Sequence, residues 1–259
     1  MAVLELLKPF APAIGVCEYA AVQEHLLPCR AKSRLPQHAE SVIVLLFPYR
    51  FADTAAPRTL SRYACVPDYH TAAGAVLENA VKTLQDAYPS HYFIPFIDNS
   101  PIPEVRAAAL AGLGVIGQHS LLIHPQYGSY VFIGEIVTDM AIPATGNTVT
   151  FCDGCGACSA ACIGGCLPND TRTTCASAVS QKKGDLSTAE IALIKQSGLV
   201  WGCDICQEVC PHNADALIAP HPCFTDYTPQ YIPDDPLFAT RAYAWRGQAV
   251  IERNNAFYK

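Results

Sequence analysis

Charge is scarce in this chain. Of its 259 residues only 15% are Asp, Glu, Lys or Arg, while 51% are apolar, a balance that argues against a disordered polymer. Long apolar runs are also missing. The longest purely aliphatic and aromatic stretch, Val42 to Phe47, falls far short of the roughly 20 residues that cross a bilayer, so no membrane span is expected. The opening Met1-Ala-Val-Leu-Glu-Leu-Leu-Lys8 lacks a basic segment followed by an apolar core. No signal peptide is read there, and a cytoplasmic location is expected. Excess positive charge is absent too. A net charge of −6 is a poor start for a protein whose affinity would come from neutralising phosphates. No unit of about 20–50 residues recurs, so a repeat array is not expected.

What is present suffices for a substantial core, in one large domain or two smaller ones. Residues 41–49 read as a buried strand closed by Pro48. Residues 72–88 carry a helical stripe that includes Ala75, Val76, Ala80 and Leu84. His91 to Ile97 is a strand candidate, broken by Asp98-Asn-Ser-Pro-Ile-Pro103, and an Ala-rich helix follows over Glu104 to Leu110. Ala111 to Gly117 is a Gly-rich turn, and Leu121 to Ile123 and Tyr130 to Thr138 are strand-like. This alternation predicts an α/β layer domain over residues 1–147 that ends in the linker Ile142-Pro-Ala-Thr-Gly-Asn147. A cysteine-rich module is expected over 148–213, with one helix from Ser187 to Gln196 opened by a Ser187–Glu190 capping box. The Pro- and aromatic-rich remainder, 214–259, is expected to wrap over the rest. The fold class is therefore α+β.

Cysteine is the abundant residue, with 13 in the chain. Without an export signal, and at these spacings, the cysteines read as ligands rather than disulfides. Cys152, Cys155, Cys158 and Cys162 are separated by two, two and three residues, the bacterial ferredoxin run. Cys203, Cys206, Cys210 and Pro211 repeat the end of that pattern. Two [4Fe–4S] clusters in a bacterial ferredoxin-like module follow. In such a module three close thiolates wrap one cluster and the next cysteine reaches the other. One cluster then takes Cys152, Cys155, Cys158 and Cys210. The other takes Cys162, Cys203, Cys206 and one more, either Cys175 or Cys166. Cys175 is favoured because Cys166 forces a very short return from Cys162. Zinc also binds four cysteines, but seven in two such runs favour iron–sulfur. The other cysteines, at 17, 29, 65, 166 and 223, read as buried apolar residues.

The second run, Trp201-Gly-Cys203-Asp-Ile-Cys206-Gln-Glu-Val-Cys210-Pro-His-Asn213, resembles the epoxyqueuosine reductase family. Further segments agree in order and spacing. They are Arg62-Tyr-Ala-Cys-Val-Pro-Asp-Tyr-His70, Ile97-Asp98-Asn-Ser-Pro101, Ala111-Gly-Leu-Gly-Val-Ile-Gly117 and Tyr127-Gly-Ser-Tyr-Val-Phe-Ile-Gly-Glu135. Cys175-Ala-Ser177, Gln181-Lys-Lys-Gly184, Ala244-Trp-Arg-Gly247 and Arg253-Asn254 also match. The resemblance covers about residues 41–254 and supports Cys175 as the eighth ligand.

The resemblance implies cobalamin held between nitroreductase-like α/β layers and the ferredoxin module. It implies clusters that feed electrons to give cob(I)alamin, and reduction of epoxyqueuosine to queuosine in tRNA. Asp98 would be the proton donor, its pKa raised beside an apolar corrin. From its residues alone, Asp98 also reads as a turn residue before prolines. By position, corrin contacts fall on Ser61, Asp98, His119, Leu122, Ile133, Ser177 and Asp204. His70 lies either near cobalt or in a structural role. The implied partners are the tRNA anticodon loop and an external low-potential electron donor. Lys182-Lys183 could face RNA or be a solvated loop. The family's full-length enzymes continue into helical repeats, and a short form lacking them is expected here. Departures are Val105 inserted between Glu104 and Arg106, Gln118-His119 after Gly117, and Ile163 after Cys162. Two other functions compete. One is a cobalamin and iron–sulfur reductase of a small molecule, and the other a ferredoxin-type electron carrier with no corrin pocket.

Overall fold

A computed structural model of the protein describes residues 2–168 and 172–258. Its centre is the apolar run at 41–49. Strand β1 (Ala13–Glu18) lies beside β2 (Ser41–Pro48), every residue of which is buried. β2 is buried on both faces, so its sequence reads as a continuous apolar run rather than an alternation. Ile43, Leu45 and Phe47 enter one core, and Val42, Val44 and Leu46 enter the other.

Helices α1 (Val3–Leu7) and α2 (Ala20–Gln23) are short. Helix α3 (Tyr69–Ala87) packs on β3 (Phe93–Ile97) from one face of the sheet, and α4 (Glu104–Leu110) covers the other face. α3 starts three residues before the sequence stripe suggests. Asp68 caps it, its carboxylate accepting the His70 N–H at 3.0 Å. A two-stranded hairpin, β4 (Val115–Ile116) with β5 (Leu122–Ile123), precedes β6 (Val131–Thr138).

The main sheet runs β1-β2-β6-β3, with every adjacent pair antiparallel. β2 and β3 both oppose β6, so they are parallel to each other and joined through α3. β6 is inserted between them, with Ser41 opposite Thr138 and Pro48 opposite Val131. The strand–helix alternation is thus a βαβ unit split by a late strand.

The cysteine-rich part holds α5 (Ala157–Ala161), α6 (Ala176–Ser180), α7 (Thr188–Ser197) and α8 (Ile205–Glu208). The Ser187–Glu190 capping box opens α7. The end of the described chain carries α9 (Gln248–Ala256). A third core joins Leu60 and Ala64, Val200 and Trp201, and Tyr231, Tyr243 and Ile251. The C-terminal stretch therefore ties the other two parts together. Among the described residues, no helix is long and apolar enough to cross a membrane.

Polar ties hold the cysteine-rich part to the sheet. Asn213 accepts the Ser129 N–H at 2.7 Å, and Gln207 donates to the Ser129 carbonyl at 2.9 Å. Gly128, at φ +57°, lies where a Cβ would stand 2.1 Å from Asn213 Oδ1, so only glycine permits this approach. Arg58 Nη1 meets the buried Asp204 carboxylate at 2.6 Å, and the Arg62 N–H donates to the same oxygen at 2.8 Å. Burial pushes the Asp204 pKa up, and Arg58 opposes that rise. Removing one partner of a buried ion pair leaves the other charge stranded. Arg58→Ala is therefore expected to cost about 3–5 kcal/mol of stability in denaturant unfolding. A loss below about 1 kcal/mol, the value of a surface pair, would contradict this tie.

Candidate functional site

The cysteines gather around two cavities. Cys152, Cys155, Cys158 and Cys210 line a small one, together with His119 and His212. Cys210 belongs to the second run in sequence, yet the thiols near enough to perturb it are Cys155, Cys158 and Cys152. The Gln118 N–H points at Cys152 Sγ from 3.3 Å, and a cluster thiolate commonly accepts such a bond. The expected first set of four is thus brought together.

The second cavity is larger, about 430 Å³, and lies between the sheet and the cysteine-rich part. Cys162, Cys166, Cys175, Cys203 and Cys206 all line it. Burial pushes the Cys206 thiol up to about 12, and the Cys203 and Cys175 charges add to the rise. Burial likewise raises Cys203 to about 11, with Asp204, Cys175 and Cys162 contributing. Partly buried thiols that repel one another's anions suit a polynuclear cation that neutralises them together. Among the described residues, no three His, Cys, Asp or Glu side chains close on one point as the ligands of a single ion do.

Gly164 explains how Cys175 reaches this group. A Cβ there would lie 1.8 Å from the Thr174 carbonyl oxygen, so the loop after Cys162 presses its backbone on the residue before Cys175. Cys166, read from sequence as a buried apolar residue and as the less favoured choice for eighth ligand, is buried and stands inside the group, its Sγ 3.3 Å from Cys162 Sγ. Nothing in the spacing signals that contact, which depends on the Gly164-Gly165 turn.

The remaining wall of the large cavity is mostly apolar and aromatic, with Tyr63, Tyr69 and Phe132 among its residues. Of the expected corrin contacts, His119, Leu122, Ile133 and Ser177 line it. Ser61 and Asp204 do not. Both lie buried beneath the wall, where the Ser61 N–H donates to the Trp201 carbonyl and Asp204 is taken up by Arg58. A large apolar ring with polar edges fits this wall. His119 is buried, its Nδ1 accepts the Leu121 N–H at 3.3 Å, and its Nε2 has no partner in the chain. Burial holds its pKa down to about 4, so the ring is neutral and Nε2 is the free donor. It lines both cavities.

Asp98 also lies outside the lining of the large cavity. It sits at the end of β3 at φ +55°, with a side chain 57% exposed. His70 Nε2 donates to Asp98 Oδ2 at 3.1 Å, and His70 Nδ1 donates to Asp68 Oδ1 at 2.7 Å. A ring with a carboxylate on each nitrogen holds both protons. Asp68 and Asp98 push the His70 pKa up to about 9, and the His70 bond draws the Asp98 pKa down. The Asp98 pKa thus lies on the low side of the ordinary carboxylate value, opposite in direction to the rise that a neighbouring corrin would cause, because the proton rests on His70.

The His70 shift has a testable sign. The folded pKa lies above the ordinary value near 6.5. The pair's stabilisation is full below about 6.5 and is lost as pH rises through about 9. The His70 ring protons should titrate in NMR with a midpoint near 9 and fall toward 6.5 in Asp98→Asn. An ordinary midpoint in the unmodified protein would refute the pairing.

Glu104, noted in sequence as the start of the Ala-rich helix and for its place before Val105, lines the large cavity. Burial raises its carboxyl to about 7, and the Asp98 charge adds to the rise. A tertiary wall creates this group, and no local pattern marks it.

The comparisons with known proteins bear on both cavities. A family model of the 4Fe-4S double cluster binding domain matches residues 151–213, and one of epoxyqueuosine reductase QueG, DUF1730, matches residues 30–99. The chain belongs to the epoxyqueuosine reductase family. It is 34% identical over 161 residues to the epoxyqueuosine reductase of Gloeobacter violaceus, covering 61% of this chain and 50% of that one. It is 30% identical over 199 residues to that of Escherichia coli K12, covering 74% and 50%. The chain thus spans about half the length of these curated relatives. Its fold matches a crystal structure of an epoxyqueuosine reductase with a tRNA-Tyr epoxyqueuosine-modified stem loop. The TM-score is 0.83 at 22% identity, covering 98% of this chain and 79% of that one. The α+β class expected from sequence agrees with that match.

Proposed function

We propose that this member of the epoxyqueuosine reductase family reduces epoxyqueuosine to queuosine in tRNA, with two [4Fe–4S] clusters and cobalamin as cofactors. One observation carries the reading. A cavity of about 430 Å³ has five cysteines on one side, and on the other Tyr69 and Glu104, which adjoin the Asp98–His70 pair. A simple electron carrier has no use for such a cavity. Cys152, Cys155, Cys158 and Cys210 would hold one cluster, and Cys162, Cys175, Cys203 and Cys206 the other, beside the corrin. His119, Leu122, Ile133 and Ser177 would contact the corrin, which when bound supplies the reducing equivalents for opening the epoxide.

The chain's own residues manage protons. His70 stores one at Nε2, and Asp98 Oδ2, 3.1 Å away, is the atom through which it passes to the departing oxygen. Glu104, near neutrality in its pKa, is placed to replenish the pair. Residues 1–147 would then form the catalytic half, 148–213 the cluster module and 214–259 the strap between them. The reaction would run in the cytoplasm, fed by an external low-potential donor.

The direct test is cobalamin titration of the anaerobically reconstituted protein, followed by ultraviolet–visible and EPR spectroscopy. Saturable binding that perturbs the corrin spectrum is expected. Failure to bind would remove the reductase reading.

A further inference from the structure

A [4Fe–4S] cluster has four iron corners, but five cysteines line the large cavity. The surplus sulfur is identifiable. Cys162 and Cys166 stand with their sulfurs 3.3 Å apart, and Cys166 is only 6% exposed. At that distance each sulfur is within S–H···S hydrogen-bond reach of the other. They are also too close to serve adjacent corners of one cube, since Fe–S bonds point outward from the corners and diverge. Cys162 closes the run spaced two, two and three, and is the ligand by position. Cys166 follows it across a tight turn, in which the Gly165 N–H donates to the Cys162 carbonyl at 3.0 Å.

We propose that Cys166 is not a ligand but a thiol that donates an S–H hydrogen bond to the Cys162 thiolate, setting the reduction potential of the cluster nearest the large cavity. The bond withdraws electron density from the thiolate, so the reduced, more negative cluster is favoured and the potential rises. No covalent bond forms or breaks, and no electron is gained or lost in the tuning itself. Cys166 is therefore a positioning residue acting through Cys162. The proposal rests on the double-cluster reading of residues 151–213 and on no particular substrate.

The test uses the full chain, reconstituted anaerobically with iron and sulfide, as wild type, Cys166→Ala and Cys166→Ser. Iron is counted, and each cluster is titrated redox-potentiometrically by EPR. All three proteins are expected to hold about eight irons. In Cys166→Ala one cluster should become harder to reduce, its reduced-to-oxidised ratio falling about tenfold at fixed potential, or about 59 mV for one electron. The other cluster should not move. Cys166→Ser keeps a donor and should return the potential to the wild-type side. Iron falling to about half in Cys166→Ala would make Cys166 a ligand and overturn the proposal. So would an unchanged potential in Cys166→Ala, or a serine variant that behaves like alanine. A wild-type chain that never binds about eight irons would instead sink the double-cluster reading beneath it.

Discussion

Cys210→Ala is expected to abolish the cluster of the first cysteine run while leaving that of its own run intact. Iron should fall from about eight to about four per chain. Cys210 follows Cys203 and Cys206 by sequence, and a naive grouping would assign all three to one cluster. The fold separates them. Cys203 and Cys206 line the large cavity, whereas Cys210 lines the small one with Cys152, Cys155 and Cys158. Pro211 opens a 3-10 turn directly after Cys210, with Asn213 anchored on Ser129. Those contacts pull the end of the run toward the β4–β5 hairpin, where the first run also lies. Cys175→Ala should give the complementary loss, so the two variants should show different surviving EPR signals. Iron and sulfide analysis with EPR of both variants checks this. Identical surviving signals would refute the crossed grouping.

Asp98→Asn is expected to reduce turnover of epoxyqueuosine-containing tRNA by about 10²–10⁴-fold, the usual worth of a positioned acid. Asparagine can still accept the His70 N–H, so the loop keeps its anchor, but it cannot relay a proton. Asp98 does not line the cavity, so cobalamin affinity should be unchanged. That split separates a proton role from a packing role. Ser100 helps hold the loop, its hydroxyl bonding the buried Glu135 carboxyl and accepting the Ile102 N–H at 3.0 Å. Single-turnover assays with nucleoside analysis, alongside the corrin titration, give both readouts. Full turnover in Asp98→Asn would end its assignment as the acid.

Much of the fold could be read where local pattern and tertiary role coincide. The run at 41–49 became the doubly buried β2, and the Ala-rich stretch at 104–110 became α4 at those bounds. β1 escaped notice because Gly15 interrupts its apolar pattern mid-strand. α9 escaped because its sequence, Gln248-Ala-Val-Ile-Glu-Arg-Asn-Asn-Ala256, is polar and opens without a side-chain cap. Its fixing contacts are distant ones, with Asn254 donating to the carbonyls of Ser180 and Val200. The insertion of β6 between β2 and β3 is a pairing across about 90 residues that no local pattern encodes.

The site divides in the same way. Cysteine spacing is local, and the seven thiols it singled out line the two cavities, where Cys166 and Cys175 join the larger group. Ser61 and Asp204 were assigned by position alone, which does not register that Arg58 and the Arg62 N–H both take Asp204 Oδ2. The His70–Asp98 contact joins residues 28 apart, so the proton's location was not legible. Cys166 gained its place from a turn, and Glu104 from burial.

The most direct measurement is nucleoside analysis of epoxyqueuosine-containing tRNA after anaerobic incubation with the reconstituted chain, cobalamin and a low-potential reductant. Conversion to queuosine that requires both cobalamin and intact clusters is the predicted result. Unchanged epoxyqueuosine, with the corrin bound and both clusters reduced, would contradict it.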